Sequence, residues 1–332
     1  MDRRGFLGIG GAALAGGVAA SAVPAVAGIG TRPDVSRIEA ALAAFETLPG
    51  PASYMLRVDD AQWPWQVSLR ANADLFVGSA IKAFINVKFL QDVERGKLSL
   101  AAPFAIDDNV RSLSSSVFID LTGTTPGRSV LEAMITHSDN TATDVALAAV
   151  GVERVRKFIA KAGLESAKIP GSTRLLFSYL AGARFGVDKG WKGMLKIADD
   201  KLFGKPRSPM NNRETMRCTA TDFVTFYERA LAGRYFREAA TLAEFKRIHA
   251  MPGMISLIAP PDTPTWVKGG SIEWEDFNAL CVPGQMRLGG TVPVTFCFTV
   301  NWDGPPSTIP GVQSDFIGVL KKTFREVQSA FG

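Results

Sequence analysis

Apolar and polar residues alternate with two different periods along the chain, and each change of period marks a predicted element. Residues 33–48 repeat apolar positions at helical spacing, with Asp34 or Ser36 as a candidate cap. Two stretches then alternate with a period of two and are joined by the turn-rich segment DDAQWP. This pattern predicts a hairpin of strands 52–59 and 65–70.

The middle of the chain has helical spacing throughout. Helices are predicted over 79–94, 129–136, 139–150, 152–162 and 219–232. A segment rich in Gly and Lys, residues 183–216, predicts a loop with one short helix. The sequence leaves two locations open for this segment: beside a functional site, or on a distant part of the surface.

Period-two alternation returns towards the C-terminus. Strands are predicted over 264–271, 277–282 and 292–302, followed by an amphipathic helix over 313–330. Strands near both ends with helices between them predict an α+β fold. We expect an α/β/α sandwich, in which the terminal helices cover one face of a single antiparallel sheet and the helical block covers the other.

The same pattern predicts the domain organisation. Residues 28–332 form one domain, in which a helical subdomain of about 79–235 is inserted into a sheet subdomain made of 33–78 and 236–332. The functional site is expected between the two subdomains.

The first 27 residues have the composition of an export signal. Arg3 and Arg4 precede a run rich in Gly and Ala, and the small residues 25–27 provide a cleavage site. Consecutive arginines before such a run resemble a twin-arginine signal, whose cargo crosses the membrane in the folded state. We therefore expect a periplasmic or secreted protein without a stable membrane anchor.

Composition limits the classes of function. The 332 residues, 46% hydrophobic and 21% charged, suffice for a large core. The formal charge of +5 comes from scattered residues, so no nucleic-acid partner is expected. The two histidines, His137 and His249, are not paired at metal-ligand spacing, so we expect neither a metal nor another cofactor.

Three cysteines allow at most one disulfide. Cys281 and Cys297 fall on neighbouring predicted strands and could pair across them, which would leave Cys218 free. Buried free thiols are the favoured interpretation, because export in the folded state implies folding in a reducing compartment.

Ser79 and Lys82 form an S-x-x-K motif at the start of the helix predicted over 79–94. Three residues apart, they project from one face, where the amine can take the proton of the serine and activate it as a nucleophile. Backbone N–H groups at a helix start can also stabilise an oxyanion. The structural alternative is a capped helix with a surface lysine.

A second motif, Ser138-Asp139-Asn140, lies between two predicted helices. Ser138 can relay a proton, and Asn140 can donate to an amide of a substrate. The structural alternative is a helix cap formed by the Asp or Asn side chain.

A third motif, Lys268-Gly269-Gly270-Ser271, falls in the strand predicted over 264–271. Two residues without side chains would let a ligand lie against the strand, with its carboxylate on Lys268. The structural alternative is a β-bulge.

S-x-x-K, S-D-N and a lysine-glycine motif in this order resemble the signature of class A β-lactamases and penicillin-binding proteins. The resemblance runs from about residue 35 to the C-terminus. Residues 123–164 and 218–233 also resemble stretches of that superfamily.

The resemblance implies a serine acyl-enzyme. Ser79 would be the nucleophile, Lys82 its activator, and Ser138 the carrier of a proton to the leaving nitrogen. The backbone N–H groups of Ser79 and Ser271 would form the oxyanion hole.

The resemblance also implies a substrate-binding set. Asn140 would orient the side-chain amide of the substrate, and Lys268 would hold its carboxylate with help from Ser271. Gly270 would leave room for the ligand beside the strand.

Two features depart from the superfamily pattern. Gly269 stands where the superfamily has Thr or Ser, so a hydroxyl that would contact the carboxylate is missing. Class A enzymes also use a loop Glu to activate the deacylating water, whereas no acidic residue lies between Glu165 and Asp188. Arg174 and Arg184 in this segment would favour an acidic substrate if they face the cleft.

We therefore expect an exported, monomeric serine hydrolase that opens a β-lactam amide through an acyl-enzyme at Ser79. One alternative is a penicillin-binding DD-peptidase or an esterase-like hydrolase acting on another small acyl substrate. The other is a β-lactam-binding or sensing domain without turnover.

Overall fold

A computed structural model describes residues 31–332, of which Pro33–Gly332 form one compact unit. The predicted signal peptide lies outside the described residues. The helices are α1 (Ser36–Ala43), α2 (Lys82–Glu94), α3 (Gly127–Thr136), α4 (Asn140–Val150), α5 (Val152–Lys161), α6 (Thr173–Leu180), α7 (Gly190–Ala198), α8 (Ala220–Leu231), α9 (Ala239–His249), α10 (Ile255–Ile258) and α11 (Ile309–Phe331). Three 3₁₀ turns span Ala44–Thr47, Gly78–Ile81 and Pro306–Thr308.

The strands are β1 (Ala52–Val58), β2 (Trp65–Leu69), β3 (Leu75–Phe76), β4 (Pro103–Ile106), β5 (Gly123–Pro126), β6 (Arg217–Cys218), β7 (Thr265–Val267), β8 (Gly270–Trp274), β9 (Phe277–Leu288) and β10 (Val292–Asp303). The main sheet has the order β2-β1-β10-β9-β7, and β8 also pairs with β9. All of these pairings are antiparallel. The predicted α+β fold is confirmed, with a sheet built from both ends of the chain.

Each face of the sheet buries its own apolar cluster. On one face, α1 and α11 contribute Ile38 and Phe324, which pack with sheet residues such as Phe298. On the other, Phe84 and Phe223 from the helical block pack in the cluster that contains Cys297 of β10. Burial of these aromatic side chains removes a large apolar area from water and fixes the layers against each other.

The strand predicted over 264–271 is two strands, β7 and β8. Lys268 donates its backbone N–H to the carbonyl of Pro283 on β9 at 3.3 Å, but a proline has no N–H to return. The ladder is therefore interrupted at Lys268 and Gly269. The strand predicted over 277–282 instead continues through Pro283 to Leu288.

Three helices were not predicted, namely α6, α9 and α10. Helix α6 begins where Ser172 accepts a hydrogen bond from Leu175 N at 3.0 Å. The carboxylate of Asp144 accepts two more, from Thr173 N at 2.6 Å and Arg174 N at 3.1 Å. Because this second cap comes from another helix, the local sequence does not reveal it.

The cysteines Cys218, Cys281 and Cys297 are buried and free. Cys281 lies opposite Thr299 in the β9–β10 register, and Cys297 lies opposite Pro283, so the two cysteines are diagonal neighbours across the strands and not a directly opposed pair. The favoured interpretation of free thiols is confirmed. The subdomain boundaries stay a prediction.

Within residues 31–332, no helix combines the length and the apolar character that a membrane span requires.

Candidate active site

The segment that carries Ser79 is held firmly against the sheet. Phe76, three residues earlier, exchanges two hydrogen bonds with the side-chain amide of Asn301 on β10, at 2.8 and 2.9 Å. Val77 N donates to Met216 O at 2.8 Å. Ser79 then follows in the 3₁₀ turn Gly78–Ile81 at the start of α2, with its side chain partly exposed.

Two glycines let this turn and β8 approach backbone to backbone. Gly78 has a φ of +53°, and a Cβ on it would lie 2.7 Å from Ser271 N. A Cβ on Gly270 would lie 2.7 Å from Ser79 N. The amide groups of Ser79 and Ser271 are therefore brought together, as an oxyanion hole requires.

This close approach corrects the role expected for Gly270. The space beside its Cα is taken by the backbone of the turn around Ser79 and Ala80, not by a ligand. Gly270 therefore allows the backbone of β8 to lie close to the N–H group of Ser79.

Lys82 is fully buried, and its ammonium contacts the second motif. Nζ donates to Ser138 O at 2.6 Å, to Asn140 Oδ1 at 2.7 Å and to Ser138 Oγ at 3.3 Å. The backbone N–H of Lys82 donates to Ser79 O at the end of the 3₁₀ turn. Among residues 31–332 no hydrogen bond joins Lys82 Nζ to Ser79 Oγ, so the side-chain contact expected from their spacing is absent. Two oxygens of Ser138 and the side-chain oxygen of Asn140, the first residue of α4, therefore hold the amine beside Ser138.

Ser138 occupies a left-handed backbone conformation with a φ of +58°. A serine seldom adopts this conformation, and such strain concentrates at functional sites. Its Oγ lies 3.3 Å from Lys82 Nζ and 3.1 Å from Lys268 Nζ. One hydroxyl thus joins the amines of the first and third motifs.

The other two residues of the second motif do structural work as well. Asp139 caps α4 through Ala142 N and also accepts from Val117 N and Phe118 N. Asn140 accepts from Lys82 and donates to Leu113 O at 2.8 Å. Its amide nitrogen carries two hydrogens, so the contact with Leu113 leaves one for a substrate.

Burial lowers the pKa of both lysines. The pKa of Lys82 lies well below its usual 10.5, first because burial disfavours the charged form and next because Lys268 is close. Burial lowers the pKa of Lys268 to about 7. A lysine whose pKa is lowered is uncharged over a wider range of pH, and its neutral amine can accept a proton from a serine.

The cleft above these groups has a volume of about 1050 Å³, and Ser79, Ser138, Asn140 and Ser271 all line it. The structure therefore brings the predicted nucleophile, proton carrier and substrate-binding side chains to one place. Lys82 and Lys268 lie beneath them.

The walls of the cleft contain residues that the motifs did not indicate. Phe177 of α6 and Trp274 of β8 face one another as neighbouring rings, 6.4 Å apart. Ile197 and Leu202 also line the cleft, so part of the 183–216 segment lies beside the site. The only sequence signal for these residues is the alternation along β8, in which Ser271 and Glu273 share the exposed face of the strand.

The charged lining of the cleft is acidic. Asp200, Glu273 and Glu275 line it, and no Lys or Arg does so in the described chain. Arg174 instead pairs with Asp188, at 2.9 Å from Nε to Oδ2, and donates to a backbone carbonyl. The preference for an acidic substrate expected from Arg174 and Arg184 has no support, because neither arginine reaches the cleft.

Residues 31–332 contain no group of three or more His, Cys, Asp or Glu side chains placed to hold a metal ion.

Comparison with known families gives a match over residues 35–242 to the model of the group described as the Beta-lactamase enzyme family. No curated protein matches the chain. Among solved structures, it is similar to a β-lactamase from Sphaerobacter thermophilus, at 16% identity and a TM-score of 0.68 over 90% of this chain and 98% of that one.

Two further similar structures are forms of PBP-A. One is PBP-A itself, at 13% identity and a TM-score of 0.66, over 90% of this chain and 98% of that chain. The other is a leucine-to-glutamate mutant of PBP-A in an acyl-enzyme complex with penicillin G, at 14% identity and a TM-score of 0.65, over 90% and 97%. At these identities the structural likeness concerns the fold.

Proposed function

The chain belongs to the beta-lactamase enzyme family, and we propose on that premise that it hydrolyses a small acyl substrate through an ester at Ser79. One observation carries the proposal. Ser138 Oγ lies within hydrogen-bonding distance of both Lys82 Nζ and Lys268 Nζ, so a proton can travel between a buried amine and the cleft.

In the proposed acylation step, the neutral amine of Lys82 releases part of its contacts with Ser138 and Asn140 and turns to Ser79. Ser79 Oγ attacks the carbonyl carbon, and its proton passes to this amine. The developing oxyanion is stabilised by the N–H groups of Ser79 and Ser271, which the glycine contacts hold together. As the bond to the leaving atom breaks, Ser138 gives that atom its hydroxyl proton and regains one from Lys82.

A β-lactam amide is the first candidate substrate. Family membership supports it, and so does the acyl-enzyme that a PBP-A mutant forms with penicillin G on the same fold. Asn140, with one amide hydrogen left, would orient the side chain of such a substrate.

A peptidase or esterase of the penicillin-binding kind is the second candidate. It is favoured by α6, which presents Phe177 to the cleft and no carboxylate. In this case Lys82 and Ser138 serve both half-reactions, and a penicillin remains on Ser79 for longer than the natural acyl group does.

Export of the mature protein is also part of the proposal. Support comes from the consecutive arginines Arg3 and Arg4 and from three cysteines that are buried as free thiols, as folding before export would leave them. Mass spectrometry of protein recovered from outside the cytoplasm should give a chain that begins near residue 28. A chain that retains residues 1–27 there would contradict cleavage.

The function is tested by intact mass over time after mixing with a penicillin, a chromogenic cephalosporin and an aryl ester. We expect an adduct on the wild type and on Ser116→Ala, which changes another serine lining the cleft, and none on Ser79→Ala. A transient adduct with product release indicates a β-lactamase. A persistent penicillin adduct with ester turnover indicates the second candidate, and labelling of Ser79→Ala would remove Ser79 from the mechanism.

A further inference from the structure

A cavity of about 480 Å³ lies within the helical block. It is bounded by α2, α5, the end of α8 and the segment that follows α8, and we call it the basic pocket. None of the residues that line it in the described chain also lines the cleft around Ser79. The basic pocket is therefore a separate space, which the proposed hydrolysis does not use.

Every charged residue that lines the basic pocket in the described chain is a Lys or an Arg. Helix α5 contributes Arg154, Lys157 and Lys161, whose spacing of three and four residues places them on one face of the helix. Arg229 of α8 and Arg234 after it bring the same charge from another part of the chain. The fold thus gathers cations that are spread along the sequence from residue 88 to residue 234.

One carboxylate, that of Asp92, lies beside these cations without lining the pocket. Asp92 is fully buried, and it pairs with Lys88 and with Arg154, whose Nη2 lies 2.6 Å from Oδ1. Arg95 is a third neighbour, at 3.9 Å. Burial lowers the pKa of Lys88, and the charges of Arg154 and Arg95 lower it further, although Asp92 opposes the change. One negative charge shared among three positive ones leaves an excess of positive charge on this side of the pocket.

The remaining cations that line the pocket are Lys157, Lys161, Arg229 and Arg234. In the part of the chain that the structure describes, no ion pair joins any of them to an Asp or Glu side chain. Arg229 instead donates to the carbonyl of Ala162, at 2.6 Å. Because like charges in one cavity repel each other, an anion that binds here would stabilise the folded protein.

We propose that the basic pocket binds a diphosphate group, carried either by a soluble small molecule or by the headgroup of a lipid. Lys and Arg side chains bind phosphate oxygens well, and a guanidinium can donate two parallel hydrogen bonds to them. A diphosphate joins two anionic groups with several acceptor oxygens. It therefore matches a cavity lined by several unpaired cations better than a singly charged anion does.

The volume of the basic pocket also fits such a ligand. An enclosed cavity of about 150 Å³ holds a molecule of benzene. The basic pocket is about three times as large, so it can accept a diphosphate together with part of the group that carries it.

Isothermal titration calorimetry with inorganic pyrophosphate tests the assignment. Inorganic phosphate and citrate are titrated at the same ionic strength, because salt screens the charges. We expect one pyrophosphate per chain, bound at least tenfold more tightly than phosphate or citrate. Citrate carries its charge on carboxylates, so equal or tighter binding of citrate would overturn the assignment. Absence of pyrophosphate binding, or several equivalent sites per chain, would also refute it.

A matched pair of double variants locates the site. Lys157→Glu with Lys161→Glu reverses two charges of the pocket, four residues apart on α5, and should weaken pyrophosphate binding at least tenfold. Lys192→Glu with Lys196→Glu makes the same change on α7, where both lysines are exposed and line neither the basic pocket nor the cleft. This second variant should bind as the wild type does, and equal affinities in the two double variants would refute the proposal.

Two further variants exclude other causes of a weaker affinity. Lys157→Arg with Lys161→Arg keeps both charges and should retain binding, whereas its loss would mean that charge is not the determinant. Lys268→Met should also bind pyrophosphate as the wild type does. A loss in Lys268→Met would place the ligand in the catalytic site and overturn the inference.

Vesicles distinguish the two sources of the diphosphate. The protein is sedimented with phosphatidylcholine vesicles that contain diacylglycerol diphosphate. Co-sedimentation that is lost in Lys157→Glu with Lys161→Glu indicates a lipid headgroup, and binding of free pyrophosphate without co-sedimentation indicates a soluble ligand. Co-sedimentation without binding of free pyrophosphate would show adsorption to a charged surface and refute a diphosphate site.

Discussion

Lys268 Nζ donates to Ser138 Oγ at 3.1 Å, which ties the third motif to the second across 130 residues of sequence. Lys82 Nζ lies 3.3 Å from the same oxygen. A hydroxyl oxygen can accept two hydrogen bonds and still donate its own hydrogen. The arrangement therefore leaves the Ser138 proton available to a leaving group while both amines can restore it.

Replacing Ser138 with alanine should slow the acylation of Ser79 by an amide substrate about 10² to 10⁴-fold, because the leaving nitrogen then lacks its proton donor. Acylation by a nitrophenyl ester should fall far less, since a nitrophenolate leaves without a proton. Stopped-flow acylation rates would measure both. Ser116→Ala is the control, and an equal loss with both substrates would indicate a structural role for Ser138.

The acylation rate should rise with pH as Lys82 loses its proton, because only the neutral amine can act as a base. Since the pKa of Lys82 is held well below 10.5, the rise should be complete well below that pH. Lys82→Arg remains protonated and should lack this rise, with rates lower by about two to four orders of magnitude. A pH profile of adduct formation would measure the effect.

Two variants control this profile. If the rise belongs to Lys82, Lys268→Met should retain it but move it to higher pH, because the charge of Lys268 helps to lower the pKa of Lys82. Lys161→Arg, on the exposed side of α5, should match the wild type. A rise that persists in Lys82→Arg would assign the base to another group.

Lys268→Met should raise the free energy of unfolding at pH 7. Below pH 7, Lys268 is protonated in both states, and the folded state bears the full cost of burying the charge, on the order of 5 kcal/mol for a shift from 10.5 to about 7. Between pH 7 and 10.5, only the unfolded state binds the proton, so this cost declines as the pH rises. Lost hydrogen bonds offset part of the gain, which leaves about 1–3 kcal/mol.

Urea unfolding at pH 7 and pH 10 would measure this gain, which should be smaller at pH 10. Lys157→Met, at an exposed position, should change stability little at either pH. A less stable Lys268→Met protein at pH 7 would show that the hydrogen bonds outweigh the burial of charge.

Gly270→Ala should weaken both folding and acylation. Its Cβ would lie 2.6 Å from Ala80 N and nearer still to Val77 O, so the backbone of the nucleophile turn would have to move. Overpacking of this kind costs about 1–3 kcal/mol. Gly318→Ala, which meets nothing within 4 Å inside α11, should instead raise stability, and urea unfolding with adduct kinetics would compare the two.

Phe177→Glu should accelerate release of a penicillin adduct by tenfold or more, because it places a carboxylate on the cleft side of α6 where it can activate water. Phe185→Glu is the control, since Phe185 is 54% exposed and does not line the cleft. Intact mass over time would give both release rates. If Phe177→Glu does not accelerate release, the water that hydrolyses the acyl-enzyme does not reach it from the α6 side of the cleft.

The order of three short motifs predicted that Ser79, Ser138 and Ser271 would meet in one cleft, and the order of helical and alternating segments predicted the α+β fold. Elements were missed where their determinants are distant in sequence. Helix α6 depends on a cap from Asp144, and β9 continues through Pro283 because its neighbours on both sides hold it.

Finer geometry depends on contacts that spacing does not encode. Lys82 turns to Ser138 because the acceptors are there, although its spacing favoured Ser79. The thioether of Met254 beside Gly269 brings together residues from different elements, which no local pattern could reveal.

The three buried thiols can report where the folded structure opens. Burial raises the pKa of Cys218 and Cys297, so a thiol reagent reaches them as reactive thiolates only when the surrounding structure separates. Cys218 lies in β6, which pairs with β3 just before the nucleophile turn, whereas Cys297 lies in the middle of the central sheet. The labelling rate of Cys218 would therefore report local opening near the nucleophile turn, and the labelling rate of Cys297 would report unfolding of the core.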